Sequence, residues 1–423
     1  MTGTNPASHR RILFASLTGT SVEFYDFYIY GTAAALVFPD LFFPAADPAL
    51  RLLASYGSFS IAFFARPLGG LAFGHFGDRL GRKSTLVASL MLMGISTVLI
   101  GLLPGYAMAG VMAPLLLSLL RFGQGFGLGG EWGGASLLAV ENAPPGKAYW
   151  YGSFPPLGAP VGFIAANGLF LILGASMSDQ AFHDWGWRIP FLLSAVLVGF
   201  GLWVRLSITE TPEFKEALAK EPPPKVPMGE LLSGHLKPTL AGIAGAVACF
   251  ALFYITTVWM MGYGAKVLKY DRETLLAVEL GAILFMAAGI LVAGKLADRT
   301  SGGTMLGWGF AALIATGLAM PAFVDSGSLA LLFAWLAMGL FVMGFVYGPI
   351  GGWLPSLFPA RVRYTGVSVT FNVAGIIGGG LTPYIAEILV REGGISAVGY
   401  YLVAAGVLSA LGLTLAKAKR AAA

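Results

Sequence analysis

Residues 123–134 read GQGFGLGGEWGG, seven glycines around a single acid, Glu131. Gly125, Gly127 and Gly130 fit the G-x-G-x-x-G spacing of a dinucleotide loop. Such a loop needs a β-strand before it and a soluble helix after it. Here the glycines continue an apolar run that begins at Val111. The pairs Gly123/Gly127, Gly125/Gly129, Gly129/Gly133 and Gly130/Gly134 are each four apart, which lets another backbone approach the helix closely inside a membrane. The stretch therefore reads as part of a membrane helix, and Glu131 as an acid within the bilayer.

The whole chain supports that choice. Of its 423 residues, 57% are hydrophobic and 11% charged, with a mean hydropathy of +0.76; soluble domains carry about 25% charged residues. The apolar runs are continuous rather than alternating, so they predict helices and not barrel strands. Twelve spans are predicted at roughly 13–38, 51–74, 84–103, 111–140, 149–174, 188–206, 238–264, 273–294, 304–323, 328–355, 364–390 and 395–416. The leading SHRR enters an apolar stretch too long for a signal-peptide core, so it is read as the first helix. With the N-terminus inside, eighteen Lys and Arg fall on the cytoplasmic side and six on the other. The positive-inside rule then places both termini in the cytoplasm.

These counts also exclude functions. The net charge of +5 is accounted for by the cytoplasmic loops, so no nucleic-acid partner is implied. The lone cysteine, Cys249, sits in an apolar span and forms no disulfide within the chain. The four histidines lie at span ends or in loops without metal-ligand spacing. No nucleophile–base pair stands out, so an enzyme is not expected, nor any cofactor beyond a coupling proton.

The chain divides near its middle. A charged, proline-rich stretch at 207–238 is too polar to span and separates six helices from six. The expected division is a first bundle at 1–206, a cytoplasmic linker at 207–235 and a second bundle at 236–423. The bundles echo each other: GHFGDRLGRK (74–83) matches GKLADRTSGG (294–303), and ENAPPGKAY (141–149) matches SLFPARVRY (356–364). Duplicated six-helix halves predict a transporter with its site between them, near the midplane.

Several stretches also carry a family resemblance. GDRLGRK between the second and third spans resembles the signature loop of the major facilitator superfamily. VEFYDFYIYG (22–31), RPLGGLAFGHFGDRLGRK (66–83), GQGFGLGGEWGGA (123–135), WGWRIPF (185–191), ETPEF (210–214) and LFPARVRYTG (357–366) resemble its metabolite:proton symporter family. The first half is most similar to the shikimate-transporter-like branch. The resemblance implies an all-α membrane protein of two pseudo-symmetric six-helix bundles. It carries a latch for the outward-open state to Gly74, Asp78, Arg79, Gly81 and Arg82. Two departures stand out: the second-half loop ends TSGG in place of Gly-Arg-Lys, and Ser356 stands where the family has glutamate. They put the second-half latch in doubt.

An ionised group at mid-bilayer costs about 2.5–3.5 kcal/mol, so each one calls for a partner or a watery cavity. At 1.5 Å of rise per residue, Glu23, Arg66 and Glu131 share a level, and Arg121 lies farther out, near Asp26. Glu131, Asp26 and Glu23 are thus candidate proton carriers, with Arg66 as a releasable partner of Glu131. The competing reading makes Arg66–Glu131 and Asp26–Arg121 fixed structural pairs. Arg121 can instead fork onto a substrate carboxylate, with Tyr25, Tyr28, Gln124, Trp132, Tyr254, Tyr347 and Asn372 lining the cavity. Each of these side chains taken alone also suits packing. Glu279, near the outer end of the eighth span, is read as interfacial, with gating as the alternative.

The expectation is a secondary active transporter of the bacterial inner membrane. It would couple uptake of a small organic carboxylate to protons by alternating access, as a monomer in the lipid bilayer. Carriage of zwitterionic osmolytes such as proline or betaine is the alternative; a membrane-embedded enzyme or a sensor without transport is the rival class, and the intact first-half loop argues against a sensor.

Overall fold

The computed structural model describes residues 6–44, 47–80, 82–129, 136–137, 139–140, 143–207, 227–359 and 362–421. Glu131, Trp132, Gly81 and linker residues 208–226 lie outside the described residues, as do the side chains of Asp78, Arg79 and Arg82.

Among the described residues, helices stand at each of the twelve positions that hydropathy predicts. They are α1 (Pro6–Leu36), α2 (Pro48–Leu80), α3 (Arg82–Leu102), α4 (Met112–Leu128), α5 (Phe154–Ser176) and α6 (Arg188–Ser207). In the second half come α7 (Leu236–Lys266), α8 (Arg272–Arg299), α9 (Gly302–Val324) and α10 (Leu329–Trp353). α11 runs from Arg363 through a π turn at Ile376–Gly380 to residue 393, and α12 covers 395–421. Gly394, at φ 68°, makes the break between the last two; an L side chain pays for that backbone region. Polar side chains start α8, α9 and α10: Asp271, Ser301 and Ser328 accept the N–H of Thr274, Thr304 and Leu331. Bonds from the Thr274 hydroxyl and N–H hold the exposed Asp271 carboxyl below the usual carboxylate range.

Six helical runs among the described residues are long and apolar enough to cross a membrane by themselves, one of them holding both α11 and most of α12. A bent pair, Asp179–Gly186 with Arg188–Trp203, makes a seventh.

Packing follows the duplication. α1 lies on α5, α2 on α4 and α3 on α6; six helices later, α7 lies on α11, α8 on α10 and α9 on α12. Between the halves, α2 meets α11 and α5 meets α8, two contacts exchanged by the same relation. An even number of spans puts both termini on one side, called here the terminal side, with the far side opposite.

The glycines of α4 now have their reason. A Cβ at Gly125 would stand 2.2 Å from the Ala62 carbonyl, and one at Gly129 2.1 Å from the Arg66 carbonyl. A Cβ at Gly127 would meet the Ser89 carbonyl at 2.8 Å. Thus one four-residue glycine pair admits the backbone of α2, and the offset glycine admits α3. Only hydrogen fits there.

Candidate functional site: a cationic aromatic tier between the halves

Arg121, on α4, has no exposed surface. Its guanidinium lies 4.3 Å from the Phe27 ring centre, 3.9 Å from Tyr30 and 5.0 Å from Phe59. Its N–H groups donate to Gln124 Oε1 and, at 3.4 and 3.5 Å, to the Phe59 carbonyl. Every one of these acceptors is neutral. Among the described residues no carboxylate comes within ion-pairing distance of Arg121. Gln124 fixes the arrangement, its amide N–H donating to the Asp26 carbonyl at 3.0 Å and to Thr97 Oγ1 at 2.9 Å.

Arg66, on α2, sits over the Phe27 ring at 4.4 Å and over Phe63 at 5.1 Å. Its Nε has no hydrogen-bond acceptor among the described residues. Glu23, Tyr28, Tyr254 and Tyr347 lie within its electrostatic reach. Phe27 is therefore shared by two cations from different helices. Tyr254 of α7 closes the tier from the second half, with ring centres 5.5 Å from Phe59, 5.4 Å from Phe63 and 6.4 Å from Phe27. Tyr28 reaches the same boundary, 5.5 Å from the Phe253 ring.

Other expected lining residues turn elsewhere. Tyr25 donates its hydroxyl to the Pro190 carbonyl at 2.9 Å, inside the first bundle. Asp26, fully buried, accepts the Ser194 hydroxyl at 2.5 Å and forms no ion pair with Arg121; its other oxygen has no partner among the described residues. Asn372 reaches across the halves, donating from Nδ2 to the Gly129 carbonyl at 3.0 Å. Gly74, Asp78, Arg79 and Arg82 fall at the facing ends of α2 and α3. Sequence reasoning missed Phe27, Phe59 and Phe63, because phenylalanine is common in apolar spans and carries no mark of position.

The halves touch on both sides of the tier. On the terminal side, Asp298 at the end of α8 accepts the backbone N–H of Tyr149 at 2.8 Å and of Trp150 at 3.0 Å. Those groups open the short helix Ala148–Gly152 ahead of α5. Ser136 Oγ also donates to the Gly351 carbonyl at 2.9 Å. Although the second-half loop lacks the Gly-Arg-Lys end, its aspartate makes both of these backbone contacts. On the far side, Tyr56 donates to the Val258 carbonyl at 3.3 Å, and Ser60 to the Gly380 carbonyl. Both acceptors sit in π turns, Ile255–Trp259 and Ile376–Gly380. A π turn disturbs the helical ladder, and here it offers carbonyls to α2. Arg272 adds a bridge to Asp179 at 3.1 Å.

Two linked six-helix halves that touch on both sides of a buried cationic tier define a membrane transporter rather than an enzyme. The Major Facilitator Superfamily model matches residues 16–383, and the chain belongs to that superfamily. It is 50% identical over 419 residues to the inner membrane metabolite transport protein YhjE of Escherichia coli K12, covering 96% of this chain and 94% of the relative. It is 38% identical over 433 residues to the shikimate transporter of the same organism (96% and 94% covered). It is 34% identical over 411 residues to the proline/betaine transporter of Salmonella typhimurium LT2 (94% and 81% covered). The fold superposes on the proton:xylose symporter XylE bound to 6-bromo-6-deoxy-D-glucose with a TM-score of 0.72 and 15% identity, covering 97% of this chain and 95% of that one.

Proposed function

We propose that the protein is a proton-coupled symporter of a small organic carboxylate in the bacterial inner membrane, with both termini cytoplasmic. The observation that carries this reading is Arg121: a guanidinium buried among α1, α2 and α4 of the first half, within electrostatic reach of Tyr254 of the second, whose described acceptors are all neutral. A planar fork in that setting has a net charge to offer an anion, and carboxylates bind it bidentately. The aromatic faces beside it exclude water and hold the guanidinium flat. Arg66, at the same tier, supplies a second positive centre near Glu23.

Protons enter through Asp26 and Glu23 of α1, with Glu131, which lies outside the described residues, as the third candidate. Asp26 has one carboxylate oxygen without a described partner, and Glu23 lies beside Arg66. Protonation of a carboxylate that faces an arginine frees that arginine for substrate, so the two binding events favour each other. The terminal-side and far-side contacts then break in turn as the bundle at 1–206 rocks against that at 236–423.

The zwitterion reading has support of its own in the proline/betaine relative. A quaternary ammonium would need open aromatic faces, yet two arginines already cover Phe27. The carboxylate reading is therefore preferred. Proteoliposome uptake of labelled shikimate, driven by an inward proton gradient and abolished by a protonophore, tests it. Uptake of betaine alone, stimulated by osmotic upshift, would replace it.

A further inference from the structure

Glu279 sits on α8, seven residues from its far-side start at Arg272, and is 2% exposed. Neither of its carboxylate oxygens has a hydrogen-bond partner among the described residues. Its position near a helix end suggested an interfacial side chain, but the surrounding helices bury it. A carboxylate left dry and without donors costs several kcal/mol, whereas the neutral acid costs far less.

Near it lies the far-side gate. Glu279 and Glu387 both lie within electrostatic reach of Tyr56 on α2. Tyr56 is the residue that donates to the Val258 carbonyl of the other half. It is wedged so tightly that a Cβ at Gly262 of α7 would stand 2.3 Å from its hydroxyl. Beside them a cavity of about 160 Å³ is lined by Pro48, Leu52, Gly262, Tyr263, Lys266, Val267 and Glu387. Withdrawal of α2 from α7 and α11 would therefore bring water towards Glu279.

We propose that Glu279 is a proton-binding site of the far-side gate, protonated while the gate is shut and ionised when it opens. On opening, the carboxyl O–H bond breaks, the proton passes to far-side water and the carboxylate keeps the electron pair. Closure from an acidic far side recaptures the proton.

The other titratable groups gathered here behave differently. Glu387 has Arg391 at 3.5 Å and Lys266 nearby, so its charge is countered. Tyr56 and Tyr263 are phenols, and Lys266 lies near Asp40 and Arg51, which pair at 3.0 Å. Asp325 approaches only Tyr263 in this group. Helices α5, α9 and α10, packed along α8, contain no charged residue. Among the described residues of the gate, Glu279 is thus the acid with neither an ion pair nor a hydrogen-bond donor, unlike Glu387.

This site rests on the proton coupling proposed above, and its test is chosen to be read without substrate or gradient. Spin labels at Leu50→Cys and Val267→Cys, in a Cys249→Ala background, report the far-side distance between the halves in lipid nanodiscs. Leu50 and Val267 are both more than half exposed, Val267 at the cavity wall, so both positions are open to a label. As pH rises from about 5 to about 9, the range open to a buried glutamate, the open-to-closed ratio should rise. For one linked proton the rise is up to about tenfold per pH unit. Glu279→Gln, which keeps the shape of the neutral acid, should abolish the response, and Glu387→Gln should retain it. A distance distribution indifferent to pH in the unsubstituted gate, or an unchanged response in Glu279→Gln, overturns the proposal. Shikimate uptake that ignores the proton gradient would overturn the symport reading and leave this distance result standing.

Discussion

The Asp298 carboxylate accepts the Tyr149 N–H at 2.8 Å, tying the end of α8 to the opening of α5 across the two halves. Trp150 donates to the second oxygen at 3.0 Å, so one acid satisfies two of the free donors of a helix start. Close packing supports the contact: a Cβ at Gly302 would stand 2.4 Å from the Tyr149 ring, and one at Gly294 2.0 Å from Ser153 Oγ. Asp298→Asn keeps the size but removes the charge. It should weaken terminal-side closure by about 1 kcal/mol, roughly fivefold in the closed-to-open ratio. Accessibility of terminal-side cysteines to an impermeant thiol reagent in inverted vesicles checks this. Unchanged accessibility in Asp298→Asn would leave the contact without a part in gating.

Arg121 is expected to be irreplaceable by lysine. Arg121→Lys keeps the positive charge but loses the fork and the flat stacking on Phe27, Tyr30 and Phe59. Carboxylate uptake should fall by about tenfold or more, consistent with loss of a charge-assisted pair worth about 1.5–3 kcal/mol. Folded yield in detergent should stay near that of the unsubstituted protein. Shikimate uptake at unchanged affinity in Arg121→Lys would move the binding site elsewhere.

The glycines of α4 give a stability prediction with an internal control. Gly129→Ala forces a methyl against the Arg66 carbonyl and the Gly70 amide, both backbone. Overpacking of this kind costs about 1–3 kcal/mol. Gly199→Ala, on α6, has nothing within 4 Å of the added Cβ, and in a helix alanine is favoured over glycine by about 1 kcal/mol. Thermal unfolding in detergent should show Gly129→Ala destabilised and Gly199→Ala unchanged or improved.

Much of this arrangement can be read from residues alone, and the limit is geometric. Hydropathy and the two echoed loops place twelve helices and two halves, since apolar length and duplication are properties of the chain itself. The four-residue glycine spacing on α4 likewise announces close neighbours before any neighbour is known. Depth along a helix follows from 1.5 Å per residue, but the direction a side chain faces does not. Asp26 and Phe27 show the difference: adjacent in sequence, they face Ser194 within the first bundle and the central tier respectively. Depth alone brought Asp26 level with Arg121, yet rotation about α1 sends its carboxyl to α6. Glu279 shows the same limit from outside, for its burial is made by helices distant in sequence. The π turns at Ile376–Gly380 and Ile255–Trp259 depend on tertiary contacts with α2, and of the two only the Gly378–Gly380 run hints at irregular backbone.

The proton-carrying acid can be assigned by substitutions that keep shape and remove charge. Asp26→Asn, Glu23→Gln and Glu131→Gln each imitate the protonated state of one candidate. The carrier's variant should bind substrate and exchange it across the membrane, because neither step needs net proton movement. It should fail to accumulate substrate against a gradient, because the step that returns the proton is lost. Ser194→Ala separates Asp26 from the other two. The Ser194 hydroxyl donates to Asp26 at 2.5 Å, so its loss removes a bond that favours the ionised form. If Asp26 carries the proton, the pH at half-maximal uptake should move upward in Ser194→Ala, by less than about two units for a single hydrogen bond. If Glu23 or Glu131 carries it, the profile of Ser194→Ala should stay in place. Proteoliposome uptake and counterflow of shikimate, measured across pH for the four variants, decide between the acids. Accumulation at the unsubstituted level by well-folded Asp26→Asn would remove Asp26 from the pathway.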